Sequence, residues 1–257
     1  MDLQLSDKVA IVTGASRGIG KAIAETLSAE GMKLVLVARS RDLLESLSAS
    51  LPTENLIIPV DLRLLDATAR VLDRTINHFG KLDLLVNNAG ATKRGDFLEL
   101  TDEEWKDGFD LKFYATMRLS RAAWKHLQTS SGAIINIIGV GGKTGNAEFT
   151  IGGAVNAALM NLTKALADRG VKEGIRVNAI NPGSISTDRL QARIKNYAKE
   201  HNIDLDEMVK QMPRAMNIAR FGDPPEIARA VAFLASPQAS YIQGSILDVD
   251  GGATRGL

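Results

Sequence analysis

The sequence predicts a single doubly wound α/β domain, a parallel sheet of about seven strands with helices on both faces, and three observations predict it. Short runs nearly continuous in Val, Ile and Leu alternate from end to end with longer amphipathic stretches, as parallel strands covered on both faces require. The length of 257 residues fits one large domain, and 45% apolar residues with 23 glycines can bury a substantial core. No linker, low-complexity tract or internal repeat interrupts the chain, so residues 1–257 read as one unit.

Taken in order, a strand at 8–13 enters the turn Thr13-Gly14-Ala15-Ser16-Arg17-Gly18-Ile19-Gly20, which opens a helix at 18–30. Glycines there let the chain turn tightly and let a pyrophosphate approach the backbone, while the helix start offers free N–H groups. The spacing is G-x-x-x-G-x-G rather than G-x-G-x-x-G, so its place between the first strand and first helix carries the reading of a dinucleotide site. A second strand, 33–38, ends in Arg39, where an acid would bind the 2′-hydroxyl of NAD. A guanidinium fork suits a 2′-phosphate, and Arg17 approaches from the turn, which favours NADP(H) over NAD(H). The alternative is that both arginines are solvated surface charges.

A helix at 41–50, a strand at 56–60, a helix at 64–79 and a strand at 82–87 follow. Thr101 then caps a helix expected over 102–128, with Asp102, Glu103 and Glu104 at the positive end of its dipole. The remaining elements are a strand at 133–138, a helix at 153–168, a strand at 176–180, a helix at 225–235 and a strand at 245–249. A polar helical insertion, 184–221 with helices at 188–200 and 204–212, stands where such folds have a short loop. It follows the carboxyl end of a strand, the ligand-binding edge of the sheet, and reads as a substrate lid, a structural excursion or a subunit contact.

Composition narrows the chemistry. A net charge of +1 argues against nucleic acid and anionic membranes as partners and leaves a small-molecule substrate. Without cysteine there is no thiol nucleophile or Cys-ligated metal, and His78, His126 and His201 are too scattered for a His-rich centre, so no metal is expected. Residues 1–9 lack a signal-peptide core and no apolar run reaches membrane-span length, so a cytoplasmic location is expected.

Besides Thr13–Gly20, the chain carries Asp61-Leu62, Asn87-Asn88-Ala89-Gly90, Arg176-Val177-Asn178-Ala179-Ile180-Asn181-Pro182-Gly183 and Asp248-Val249-Asp250-Gly251-Gly252. With these motifs it resembles the short-chain dehydrogenase/reductase family, of Rossmann type, over essentially its whole length. The resemblance implies an NADP(H) site at Gly14, Ser16, Arg17, Gly18, Ile19, Gly20 and Arg39. Asp61 and Leu62 would border the adenine, Asn88 and Gly90 the adenosine ribose, and Pro182, Gly183 and Ile185 the nicotinamide. It also implies a homotetramer or homodimer, with 102–128 and 153–168 as interface helices.

The family's four reacting side chains are an asparagine, a serine, and the tyrosine and lysine of Y-x-x-x-K; this chain contains no Y-x-x-x-K at all. Alignment forward from Ile134–Val140 places the serine at Gly139 and the tyrosine at Gly152. Reading back from Asn156-Ala157-Ala158-Leu159 also puts the tyrosine at Gly152, with Asn156 at the lysine and Lys112 at the asparagine. Lysine and asparagine stand exchanged, and that exchange makes Lys112 and Asn156 the candidate catalytic pair.

A partly desolvated Lys112 would act as an acid or an imine-forming amine; otherwise it is a solvated or ion-paired helix residue. Gly139, Gly141, Gly142, Gly152 and Gly153 are expected to leave volume beside the cofactor, for a larger ligand or a closing loop. Lys93, Arg94 and Lys143 are cations at the expected pocket mouth, there to attract an acidic substrate or simply solvated. Three functions stay open: an NADP(H)-dependent oxidoreductase of a carbonyl or hydroxyl compound with a non-standard proton donor, a catalytically impaired dinucleotide-binding pseudoenzyme serving as sensor or inactive partner, and non-redox chemistry in the same pocket.

Overall fold

Seven parallel strands lie in the order β3-β2-β1-β4-β5-β6-β7 in the computed structural model, which describes residues 1–255. The strands are β1 (Val9–Thr13), β2 (Lys33–Ala38), β3 (Asn55–Pro59), β4 (Leu84–Asn87), β5 (Ala133–Ile137), β6 (Arg176–Pro182) and β7 (Ile246–Val249). Every residue of β1, β4 and β5 is buried, which explains why these segments are continuously apolar instead of alternating.

Two apolar layers flank the sheet. On one side α1 (Gly18–Ala29) and α9 (Pro224–Ala235) pack on Ala10, Val12, Leu34 and Leu36; on the other, α3 (Ala67–Phe79) and α5 (Ala115–Thr129) cover Ile11, Val35, Leu85 and Ile134. The helix α2 (Arg41–Ser50) buries Leu44 and Leu47. Asn87 donates to Ser120 and to Asn136, and Asn136 donates to Thr163, at 2.9–3.1 Å, so the buried amides beneath the site brace β4, β5 and the helices behind them. No helix among the described residues is long and apolar enough to cross a membrane.

Several expected boundaries move, each for a local reason. The helix expected at 153–168 is α6 (Thr150–Glu173), which runs through Gly152 and Gly153 and stops where Gly174 takes a left-handed φ of 73°. The helix expected at 64–79 begins only at Ala67, after a turn in which Leu64 N–H bonds to Asp61 O.

The helix expected over 102–128 is not continuous. It consists of α4 (Asp102–Gly108), a wider π-helical stretch (Phe109–Tyr114) and α5. Ala115 N–H reaches back five residues to Asp110 O, so one extra residue is accommodated and the side chains around Lys112 are re-aimed. A capping box at Thr101, with the hydroxyl accepting from Glu104 N–H and Glu104 accepting from Thr101 N–H, opens α4.

The insertion 184–221 forms α7 (Asp188–Glu200) and α8 (Leu205–Ala215), which close on Leu190, Ile194, Ala198 and Met208. Its two ends are tied by a bridge of Ile185 with Gly222, Ser186 N–H donating to Gly222 O at 2.7 Å.

Candidate active site

The strand order reverses between β1 and β4, and in an open parallel sheet the crevice outside the carboxyl ends of such strands is where ligands bind. The expected cofactor residues gather along that edge: 14–20 after β1, Arg39 after β2, Asp61 and Leu62 after β3, Asn88 and Gly90 after β4, and Pro182, Gly183 and Ile185 at the end of β6 and beyond. Gly14 and Gly18 take φ of 65° and 55°, the left-handed region a side chain disfavours. A Cβ on Gly20 would sit 2.2 Å from Gly14 O, so the turn is as tight as backbone allows.

No side chain caps the start of α1, and its first N–H groups face the cleft's end of the sheet. Arg17 and Arg39 are exposed and make neither an ion pair nor a side-chain hydrogen bond among the described residues. An uncapped helix start, a turn with no room for a Cβ and unpaired guanidinium groups fit a phosphorylated dinucleotide.

Thr13 joins this turn to the next. Its hydroxyl donates to Val86 O and accepts from the backbone N–H groups of Asn88 and Ala89, while Asn88 Nδ2 donates to Thr13 O at 2.9 Å. Thr13→Val leaves those N–H groups without an acceptor and is expected to cost about 1–3 kcal/mol in urea unfolding. An unchanged midpoint would refute this bracing role.

Asp61, expected to border the adenine, is held by a neighbouring arginine. Arg63 grips it through Nε and through Nη2 at 2.6 Å, and extends to Asp107 in α4. That hydrogen-bonded guanidinium holds the Asp61 carboxyl below the usual range.

The four divergent positions meet at the centre of the cleft. Lys112 Nζ donates to Asn156 Oδ1 and to Ile138 O, each at 2.6 Å, and Asn156 Nδ2 donates to Gly139 O at 3.2 Å. Lys112 is thus neither solvated nor ion-paired: it is partly buried, against an amide and a carbonyl, with no carboxylate partner among the described residues. Loss of hydration lowers its pKa from 10.5 to about 7, and the charge of Arg189 adds to the shift. Gly90 makes room for this chain, since a Cβ there would meet Lys112 Cγ and Cδ at 2.9 Å.

The expected empty volume at the glycines is not empty. The Phe149 ring fills it: a Cβ on Gly152 would fall 2.1 Å from the ring, and one on Gly141 2.8 Å. Arg94 lies over the same ring at 4.0 Å. Gly141 and Gly152 leave room for the ring of Phe149, the residue before α6, whereas Gly139 and Gly142 lie against Asn156 and Gly153 against the Gly141 carbonyl.

The 139–145 loop is also pinned, not open. Gly139 N–H donates to Asn181 Oδ1, Asn181 Nδ2 to Asp248, and Lys143 Nζ to the other oxygen of Asp248 at 2.6 Å. Lys143 and Lys93, the latter 3.7 Å from Glu104, thus have their own carboxylates; Arg94 has none among the described residues. The insertion reaches the cleft through Arg189, whose Nη2 donates to Gly90 O at 3.1 Å. Sequence reasoning missed Arg63, Phe149, Arg189 and Arg193; only the last pair left a signal, an i, i+4 spacing on the expected 188–200 helix.

Known proteins share this chain's family and fold. A family model described as enoyl-(acyl carrier protein) reductase matches residues 14–254. The chain is 37% identical over 251 residues to the 3-oxoacyl-[acyl-carrier-protein] reductase of Vibrio cholerae, covering 97% of this chain and 98% of that one. L-Sorbose reductase from Gluconobacter frateurii, solved with NADPH and L-sorbose, superposes with a TM-score of 0.95 at 35% identity over 100% of both chains. A mutant of a Serratia marcescens short-chain dehydrogenase/reductase gives 0.86 at 32% identity over 97% of this chain and 98% of that one.

Proposed function

The chain belongs to the short-chain dehydrogenase/reductase family, and from that premise we propose that it is an NADP(H)-dependent oxidoreductase interconverting a ketone and its alcohol, with Lys112 as the proton donor. Both relatives named for a substrate, a 3-oxoacyl thioester and L-sorbose, are named for ketones, which supports that class. The substrate is a small molecule, and the assembly a cytoplasmic dimer or tetramer.

One observation carries the reading, the donor count at Lys112. An ammonium has three N–H groups, and two are engaged, by Asn156 Oδ1 and Ile138 O. The third is free to pass to a carbonyl oxygen, and the amine left behind still has a hydrogen for each of its two acceptors. Giving up the proton therefore strands no buried polar group. A pKa of about 7 matches the task, since an acid works best when it titrates near the working pH.

In this reading Lys112, Gly139, Gly152 and Asn156 replace the family's Asn, Ser, Tyr and Lys. The ammonium is supplied from the π-helical stretch after α4 instead of from α6, and Asn156 orients it. NADPH, when bound, supplies the hydride; Arg17 and Arg39 receive its 2′-phosphate, and the 14–20 turn its pyrophosphate.

Arg39→Asp is expected to weaken NADPH relative to NADH by about 10- to 100-fold in fluorescence titrations. An unchanged ratio would refute the role of Arg39. The test of the whole reading is NADPH oxidation across a ketone panel by the wild type and Lys112→Met.

A second reading has its own support. The Phe149 ring lies against Gly152, and a phenylalanine there offers no hydroxyl to a substrate. Tight NADPH binding with no turnover on any ketone would favour a dinucleotide-binding pseudoenzyme.

A further inference from the structure

Three arginines around the cleft mouth have no carboxylate partner within ion-pair distance among the described residues: Arg94 after β4, and Arg189 and Arg193 on α7. Two lie one helical turn apart on the same face of α7, an arrangement of like charges that a helix disfavours unless something anionic is shared. Arg189 is held beside the reacting centre, donating to the carbonyl of Gly90, the glycine against which the Lys112 side chain packs. Arg94 is mounted on Phe149, the ring that fills the middle of the site.

Arg193 lies one turn beyond Arg189 on α7, the helix that reaches the cleft through the Arg189 contact to Gly90. Burial lowers the proton affinity of Arg94 and Arg193, and the charge of Arg193 lowers that of Arg94 further; Glu148 is the one acid that opposes it. Poorly hydrated guanidinium groups that repel each other are costly in the free protein and are relieved by an anion between them. Elsewhere on the mouth the chain supplies such anions itself, Glu104 for Lys93 and Asp248 for Lys143.

We infer that the cleft selects ketones bearing a carboxylate or phosphate group, clamped between Arg94 and Arg193 with the carbonyl turned toward Lys112. The inference rests on the reading of the cleft as a ketone site and adds the charge of the substrate to it. The clamp is distinct from the arginines assigned to the cofactor's 2′-phosphate, since Arg17 and Arg39 follow β1 and β2 whereas Arg94 follows β4 and Arg193 lies on α7.

Two matched pairs test it on NADPH-saturated protein: 3-oxobutanoate against its methyl ester, and dihydroxyacetone phosphate against dihydroxyacetone. In at least one pair kcat/KM is expected to favour the anion by about 10- to 100-fold, the worth of one or two charge-assisted hydrogen bonds. Which pair shows it identifies carboxylate or phosphate. Arg193→Gln and Arg94→Gln should collapse that ratio toward unity through KM while NADPH affinity is retained. Neutral members used as well as the anions, or variants that lose NADPH affinity instead, would overturn the clamp.

If no ketone is turned over, the oxidoreductase reading fails but the clamp is still tested. An anion that raises the melting temperature of the NADPH complex of wild type but not of Arg193→Gln supports it, and no rise with either anion sinks it.

Discussion

Lys112→Met is expected to lower kcat/KM for ketone reduction by about 10²- to 10⁴-fold, the usual worth of a positioned general acid, while NADPH still binds. Its pH dependence separates this role from a structural one. The wild-type ammonium is protonated below about 7, so the rate of reduction should fall as pH rises through that value, and the reverse oxidation should rise. In Lys112→Met that inflection should vanish from both directions. A variant that reduces ketones at the wild-type rate, with the inflection intact, would exclude Lys112 as the donor.

The same group marks the stability curve. Its folded pKa, about 7, lies below the 10.5 it has when unfolded, so between those values the unfolded chain binds the additional proton. Lys112 therefore makes the protein gain stability as pH rises from about 7 towards 10.5, with the cost of burying the ammonium fully present below 7. Urea unfolding across that range should show this slope in the wild type and lose it in Lys112→Met. The slope is the cleaner readout, because at neutral pH the variant relieves a buried charge but also leaves Ile138 O and Asn156 Oδ1 unpartnered.

Restoring the family's four side chains, by Lys112→Asn, Gly139→Ser, Gly152→Tyr and Asn156→Lys together, is expected to destabilise the protein instead of activating it. A tyrosine Cβ at 152 would lie 2.1 Å from the half-buried Phe149 ring, so that ring must leave its place and the Arg94 guanidinium loses the face it rests on. Gly139 holds φ at 127°, where a serine is strained by about 1–3 kcal/mol. Adding Phe149→Ala should relieve the crowding at 152 and not the strain at 139, measured as midpoints of urea unfolding. A four-residue variant as stable as the wild type would show that the Phe149 ring does not crowd position 152.

The glycine turn and the helices of the 184–221 insertion were legible because each depends on residues close together in the chain. The 188–200 helix has the same bounds in sequence and structure, since Thr187 caps it locally through Leu190 N–H. The interrupted helix after Thr101 was not legible: residues 102–128 show one helical periodicity, and a single residue accommodated at 109–114 leaves almost no trace in it. Asp61 was placed at the strand end correctly but not its neutralisation, which depends on Arg63 bending back and on Asp107, far along the chain.

The absence of Y-x-x-x-K and the presence of glycine at 139 and 152 are facts of the sequence, and on the proposed reading they remove the hydroxyls on which the family's reaction depends. Periodicity and turn chemistry likewise determined a doubly wound sheet with a phosphate-binding turn. What takes the place of the missing groups was decided only by tertiary packing. Lys112 and Asn156 are 44 residues apart and meet beside the carboxyl end of β5 because a π-helical turn aims one at the other. Phe149 lies against Gly152 because its ring folds back over α6, and Arg189 reaches Gly90 because α7 is tied down over the cleft. Spacing along a chain fixes which face a side chain shares with its neighbours in the same element. Where side chains from different elements end is set by how those elements pack.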